Sequence, residues 1–310
     1  MKNKKILITG GLGFIGSNLS NTLINDNEII IVDNLSTGKL FNLKEIEHEN
    51  LRIVNQDIRT VNFDELTTDV DCIFHLAAMA SVPLSVIRPS ECNEINVGGT
   101  VRLLKSAVKN NVGKVVFSSS SSVYGQNEFL PLKETYPIKP TSPYGVSKAS
   151  CEFYLKSFYD TYGLNYTALR YFNVFGPKQS ADSEYASVIP SFINSLLENR
   201  QPVIYGDGEQ TRDFVYIDDV IAANINAAKS DFNGIVNVAS GEKLSINQLY
   251  DIIKTRFKSD VEPKYLPERV GDIKHSQADI SNMEKLNLKA DPTKFYEQLD
   301  FTINWFRIEL

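Results

Sequence analysis

The chain has 310 residues, about two domains at roughly 150 residues each, and is long enough to bury a core without disulfide or metal staples. Hydrophobic residues make up 42% and charged residues 23%, which excludes a disordered chain and a coiled coil. Lys and Arg total 32 against 38 Asp and Glu, a net charge of -6, which argues against broad binding to nucleic acid or an anionic membrane.

Before the first glycines, Lys2, Lys4 and Lys5 precede an apolar run that covers only residues 6–8, too short for a secretory signal. No stretch of 18 apolar residues occurs, so no transmembrane helix is expected. Cys72, Cys92 and Cys151 are widely spaced and form no CxxC pair. Reduced thiols in a cytoplasmic protein fit them best. His48, His75 and His275 lack metal-ligand spacing, and no metal site is expected.

Taken in chain order, short apolar runs read as strands at 5–9, 29–33, 51–55, 72–76, 115–119 and 166–170. They are continuous rather than alternating, as in strands covered on both faces. Helical patterns fall near 14–26, 89–111 and 144–162. Regular alternation of this kind specifies α/β architecture, a doubly wound parallel sheet of the Rossmann type. After Arg170 prolines break the rhythm, although 214–217 with the helix from Asp218, and 235–238, still resemble the first pattern. Residues 1–172 with 213–239 are therefore expected to form the sheet domain. A smaller mixed α/β domain comes from 173–212 and 240–310.

The first strand runs into Gly10, Gly13 and Gly16, which open a helix through Phe14 and Ile15. Glycine there allows a tight turn and close approach of a pyrophosphate, held by backbone N–H groups and the positive helix end. Asp33 ends the next strand, placed to hydrogen-bond a ribose 2′-hydroxyl and to repel a 2′-phosphate. The expected cofactor is therefore NAD rather than NADP. Asp57 and Ile58, after the third strand, are candidates to meet the adenine.

Tyr144 and Lys148 stand one helical turn apart, on one face. A phenol titrates near 10, too high for a base at neutrality, but a neighbouring ammonium and a positive nicotinamide both favour phenolate. Tyr144 could then remove a proton from a carbinol while Lys148 orients the ribose. Ser120, at the carboxyl end of the fifth strand, could hydrogen-bond the reacting alcohol. On composition alone Ser118, Ser119, Ser121 and Ser122 compete with it. His75 reads as a packing or cofactor-shell residue, and Cys151 as a buried structural thiol.

With these motifs in this order, nearly the whole chain resembles the extended short-chain dehydrogenase/reductases, the nucleotide-sugar epimerase/dehydratase family. The marks are 10–16, 33–38, 75–78, 96–100, 118–125, 144–148, 170–177, 206–208, 212–214 and 269–272. The resemblance implies Ser120 as the active-site hydroxyl, Tyr144 as base and Lys148 as ribose-binding lysine. It adds Asn34, Ser36, Thr37, Gly38, Leu76, Ala77, Ala78 and Asn96 to the cofactor site. It also implies substrate contacts at Asn173, Val188, Arg212, Arg269, Asp272 and Ser276, the arginines forking onto a diphosphate. A 4,6-dehydratase or a UDP-glucuronate decarboxylase would need acids in the loop after the fifth strand, and 120–125 has none. What remains is NAD-dependent 4-epimerisation of a UDP-hexose through a 4-keto sugar.

The segments 175–179, 185–190 and 269–279 resemble UDP-N-acetylglucosamine 4-epimerases. Serine at 276, where the family can carry a bulky aromatic, leaves room for an N-acetyl group. The favoured substrates are UDP-GlcNAc and UDP-GalNAc, with UDP-glucose and UDP-galactose as the alternative, because unfilled space discriminates weakly. A non-catalytic NAD sensor or scaffold is the alternative of another class. Apolar residues cover more than one face of the helices at 89–111 and 144–162, and a homodimer pairing them is expected.

Overall fold

The computed structural model describes residues 1–44, 47–180, 187–268 and 273–309. Arg269 and Asp272, and part of the 185–190 segment, lie outside the described residues. The strands are β1 (Lys5–Thr9), β2 (Glu28–Asp33), β3 (Leu51–Asn55), β4 (Cys72–His75), β5 (Lys114–Ser120), β6 (Tyr166–Tyr171), β7 (Asn173–Phe175), β8 (Val203–Tyr205), β9 (Thr211–Arg212), β10 (Phe214–Tyr216), β11 (Gly234–Val238), β12 (Leu244–Ser245) and β13 (Lys264–Leu266). The helices are α1 (Phe14–Leu23), α2 (Phe63–Leu66), α3 (Val82–Ile87), α4 (Pro89–Asn93), α5 (Gly99–Lys109), α6 (Pro143–Tyr162), α7 (Val188–Leu197), α8 (Ile217–Lys229), α9 (Ile246–Phe257) and α10 (Phe295–Glu309).

Seven strands form one sheet in the order β3-β2-β1-β4-β5-β6-β11, all parallel. The first six follow the Rossmann order, whose direction of winding reverses between β1 and β4 and opens a crevice there. Both sheet faces are covered, which is why the strands read as continuous apolar runs. Ile6 and Ile8 enter a core with α1 and α8, while Leu7 between them enters the opposite core with Leu103, Leu104 and Leu155.

One expectation is corrected. Residues 214–217 do not return to the central sheet; β10 pairs in parallel with β7 in a sheet of two strands. The edge beside β6 is taken by β11, so β10 adds to the continuation of that strand past its end. The helix expected over 89–111 is present and runs without a gap from Pro89 to Lys109, with one irregular turn. Between α4 and α5 the backbone makes a π-helical turn over Glu94–Gly98. Such bulges occur often at functional sites, and this one carries Asn96.

Candidate active site

Gly10 lies at φ +70°, where only glycine is unstrained, and an added Cβ would meet the Ala77 nitrogen at 2.8 Å. The end of β1 and the chain leaving β4 therefore run side by side across the crevice. A Cβ on Gly16 would lie 2.1 Å from the Gly10 carbonyl oxygen, so the first turn of α1 sits directly on the glycine turn. Asp33 is buried, and its carboxylate accepts the N–H groups of Leu12 (3.0 Å) and Leu35 (2.8 Å). Each oxygen keeps a further lone pair for a ligand hydroxyl.

Nearby loops are tied to each other. Asn34 Nδ2 donates to Asp57 at 3.1 Å, and the Asn34 amide oxygen accepts the Ser36 N–H at 3.1 Å. Arg59 forks onto the Asp57 carboxylate at 2.9 and 2.8 Å, which holds that acid down at about 2. Ile58 is a core residue packed against Gly99. Past β4, the Leu76 N–H donates to the Thr9 carbonyl and the Ala77 N–H to the Thr9 hydroxyl.

Asn96 is 2% exposed and fully engaged. Its oxygen accepts the Met79 N–H at 2.7 Å, and its amide nitrogen donates to Ser147 Oγ at 2.9 Å. Ser147 in turn donates to the Tyr144 carbonyl oxygen at 2.7 Å. Asn96 thus ties the loop after β4 to the helix that carries Tyr144 and Lys148. Ser147 was missed in the sequence; its place between those two residues was the available signal.

His75 lies across the same layer. Its Nδ1 is 2.6 Å from the Thr9 hydroxyl and its Nε2 is 2.8 Å from the Thr100 hydroxyl. Thr100 donates to the Asn96 carbonyl oxygen at 2.5 Å, which leaves Nε2 as the donor and Nδ1 as the acceptor. Burial holds the imidazole neutral, down to about 3 from an ordinary 6.5. Neither nitrogen is available to a substrate. Between pH 6.5 and about 3 the unfolded chain binds a proton here that the folded chain refuses, so stability falls as pH falls through that window. At about pH 4.5 the expected contribution is about 3 kcal/mol. Urea unfolding of wild type and His75→Gln at neutral pH and at about pH 4.5 checks this. The variant should lose less stability on acidification; equal losses count against it.

Ser142 caps α6, its Oγ accepting the Gly145 N–H at 3.1 Å, and Pro143 fills the first helical position. That start places Tyr144 and Lys148 beside the end of β5. Lys148 is 2% exposed, donates to the Ser118 carbonyl oxygen at 2.7 Å, and lies 5.8 Å from the Tyr144 ring centre. Burial pushes the ammonium down to about 8. Ser120 stands by the Tyr144 hydroxyl, near enough to favour its ionisation. Burial pushes this phenol up to about 12, with the Ser120 hydroxyl acting the other way. In the chain by itself desolvation outweighs the neighbouring groups.

Geometry separates four of the five serines. Ser118 meets the Tyr171 hydroxyl, Ser119 donates to the buried Glu152, and Ser122 donates to Ser120. Ser120 is the one beside the Tyr144 hydroxyl.

Asp213 organises a second cluster. Its buried carboxylate accepts from Ser240 N and Oγ, Gly241 N and Ala278 N at 2.7–3.1 Å, and burial raises it to about 6. Asn173 N donates to the Asp213 carbonyl oxygen at 3.0 Å, and Ser276 N to the Thr211 carbonyl oxygen at 3.1 Å. Asn173, Arg212 and Ser276 are thereby drawn to one place. Arg212 donates to the Thr211 carbonyl at 2.9 Å, and Ser276 is 5% exposed. Val188 is half-buried at the first turn of α7.

The sequence profile of the NAD dependent epimerase/dehydratase family matches residues 6–239. The chain belongs to this family. A putative UDP-glucose 4-epimerase of Methanocaldococcus jannaschii is 41% identical over 97% of this chain and 98% of that one. The solved UDP-N-acetylglucosamine 4-epimerase of Methanobrevibacter ruminantium M1, in complex with UDP-N-acetylmuramic acid, is 52% identical. It covers 100% of both chains with a TM-score of 0.98. The UDP-glucose 4-epimerase of Thermotoga maritima with UDP-glucose is 39% identical, over 98% of this chain and 99% of that one, with a TM-score of 0.92. For this epimerase/dehydratase member, NAD is the cofactor, and the glycine turn fits its pyrophosphate. Gly13 has no atom of the protein closer than 3.4 Å to an added Cβ, so the turn is open on that side. Among the described residues no helix is long and apolar enough to cross a membrane.

Proposed function

We propose that this NAD-dependent nucleotide-sugar 4-epimerase favours UDP-GlcNAc and UDP-GalNAc, and that Ser120, Tyr144 and Lys148 carry its chemistry. The convergence of Tyr144 on Ser120 beside Lys148, at the carboxyl end of β5, supports the chemistry. Bound NAD supplies a hydride acceptor that returns the hydride in the same turnover. Tyr144 accepts the proton of the C4 hydroxyl, and Ser120 holds that oxygen and shortens the proton's path. The buried phenol needs added positive charge to ionise, and Lys148 together with the oxidised nicotinamide has the right sign. Proton removal is thereby linked to the cofactor being present and oxidised.

Inversion at C4 requires the 4-keto sugar to turn while the nucleotide stays held. Asn173 and Arg212, drawn together by the Asp213 clamp, are suited to hold the diphosphate. Arg269 and Asp272 belong to the same proposal by motif alone. Gly10, Gly13, Gly16 and Asp33 hold the dinucleotide; the loops at 34–38, 57–58 and 76–78 complete its walls.

Ser276 is the observation that carries the sugar preference. A small residue beside the clamp leaves space that an N-acetyl group fills, and the Methanobrevibacter relative named above acts on such a sugar. Product NMR with UDP-GlcNAc and UDP-glucose side by side tests it. A higher kcat/KM for UDP-GlcNAc is expected; a higher value for UDP-glucose favours the runner-up. Ser276→Tyr should lower kcat/KM for UDP-GlcNAc about tenfold or more relative to UDP-glucose, the scale of a steric misfit in a pocket. Equal loss on both sugars counts against the pocket assignment.

A homodimer belongs to the same reading. On α6, Val146 and Phe153 are exposed two turns apart on one face, Phe153 at 65%, and Ile87 at the end of α3 is exposed at 64%. Clustered large apolar side chains on helices mark a surface made to be covered, and a second copy of α6 covers it with two-fold symmetry. Sedimentation velocity should give a dimer for wild type and a shift toward monomer for Phe153→Glu. Two monomers, or two unchanged dimers, would remove this interface.

A further inference from the structure

Beneath the proposed catalytic groups lies a buried ion pair that the reaction itself does not use. Glu152 stands on α6 one turn beyond Lys148, and Arg170 stands on β6. They are 4% and 2% exposed. The guanidinium forks onto the carboxylate, Nε to Oε1 at 2.9 Å and Nη2 to Oε2 at 2.7 Å. The guanidinium also lies over the Tyr124 ring, 4.6 Å from its centre, while the Tyr124 hydroxyl donates to Asn237. A charge buried this deeply is costly unless it is fully paired, and here the pairing fixes both side chains in place.

One further bond gives the pair a second consequence. The Ser119 hydroxyl donates to Glu152 Oε1 at 2.5 Å. Ser119 stands between the two β5 residues that meet the catalytic helix. Lys148 donates to the Ser118 carbonyl oxygen, and Ser120 stands by the Tyr144 hydroxyl. The end of β5 thus meets α6 at three successive residues, and the middle one is tied to a carboxylate that Arg170 locks in place. The outer two involve the groups that must exchange or orient protons.

We infer that Glu152, locked by Arg170, is a positioning residue that sets the distance between β5 and α6 through Ser119 and so presents Ser120 to Tyr144. The inference rests on the catalytic roles proposed above for those two residues. Displacement of a reacting group by about 1 Å can cost about a hundredfold in rate.

Ser119→Ala is the discriminating variant, because it cuts the tie and leaves the ion pair intact. In the holoenzyme its kcat should fall about tenfold or more with KM, bound NAD and unfolding midpoint near wild type. Ser119→Thr restores the hydroxyl and should restore kcat. Glu152→Gln, if it folds, should add little further loss of kcat to Ser119→Ala, since both act through one bond. Wild-type kcat in Ser119→Ala, or a loss that Ser119→Thr does not recover, overturns the inference. Crystal structures of wild type and Ser119→Ala give a readout free of turnover. Ser120 Oγ should move away from the Tyr144 hydroxyl in the variant, and an unchanged contact overturns the inference. A wild-type protein that converts neither UDP-sugar ends the functional proposal alone, and the two structures still decide whether Ser119 sets that contact.

Discussion

Tyr144→Phe lowers epimerase turnover by about a thousandfold, within the range lost when a general base is removed, while the protein stays folded and keeps its NAD. The ring remains against its neighbours, so packing is conserved. The missing hydroxyl removes at most one polar contact near Ser120, a loss of about 1 kcal/mol, small for a domain of this size. Substrate binding rests on groups elsewhere, so KM should change far less than kcat, the pattern of an interaction made mainly in the transition state. The loss should persist at high pH. A wild-type phenol held near 12 in the cofactor-free chain gains active base as pH rises, whereas phenylalanine has nothing to ionise. Product NMR over a pH series, with NAD content and thermal unfolding measured on the same preparations, checks the result. A variant within a few-fold of wild type would remove Tyr144 from the reaction.

Strands and glycine turn were readable in the sequence because their causes are local. A strand buried on both faces must be apolar throughout, as Ile6, Leu7 and Ile8 are, and a turn at φ +70° needs glycine, as at Gly10. Tertiary causes were not readable. The π turn within the helix over 89–111 comes with the engagement of Asn96 by Met79 and Ser147, partners distant in sequence. Residues 214–217 have strand composition, and only the occupation of the sheet edge by β11 sends β10 to β7. Composition offered five serines for one role; the choice of Ser120 came from resemblance, and the contact with Tyr144 supports it. The desolvation of Tyr144 in the chain alone was not readable for the same reason: charge proximity follows from helical spacing, but desolvation depends on everything packed around the ring. Glu152 carried a faint signal, one turn past Lys148, yet Arg170 and Ser119 come from other elements.

Gly16→Ala and Gly13→Ala should separate two functions of the glycine turn. At Gly16 the new methyl would lie 2.1 Å from the Gly10 carbonyl oxygen and 2.7 Å from the Gly11 Cα. These are backbone atoms, and they cannot swing aside. Either α1 moves off the turn or Gly10 is forced from its place beside Ala77, and overpacking of this kind costs about 1–3 kcal/mol. The shifted turn also aims its N–H groups wrongly, so NAD is lost along with stability. At Gly13 the backbone has φ -73°, which alanine adopts freely, and the closest protein atom is at 3.4 Å, an ordinary contact. The chain should therefore fold as before. The methyl instead occupies space over the turn that a pyrophosphate must enter to reach the backbone N–H groups. Gly13→Ala is expected to purify with wild-type thermal stability in the cofactor-free form but with NAD affinity reduced about a hundredfold or more. Gly16→Ala is expected to lose both. Calorimetric titration of NAD into cofactor-free protein, paired with thermal unfolding, distinguishes the two. A Gly13→Ala protein that binds NAD normally would mean that the dinucleotide does not cross the turn on that side, and the cofactor site as placed between β1 and β4 would have to be redrawn.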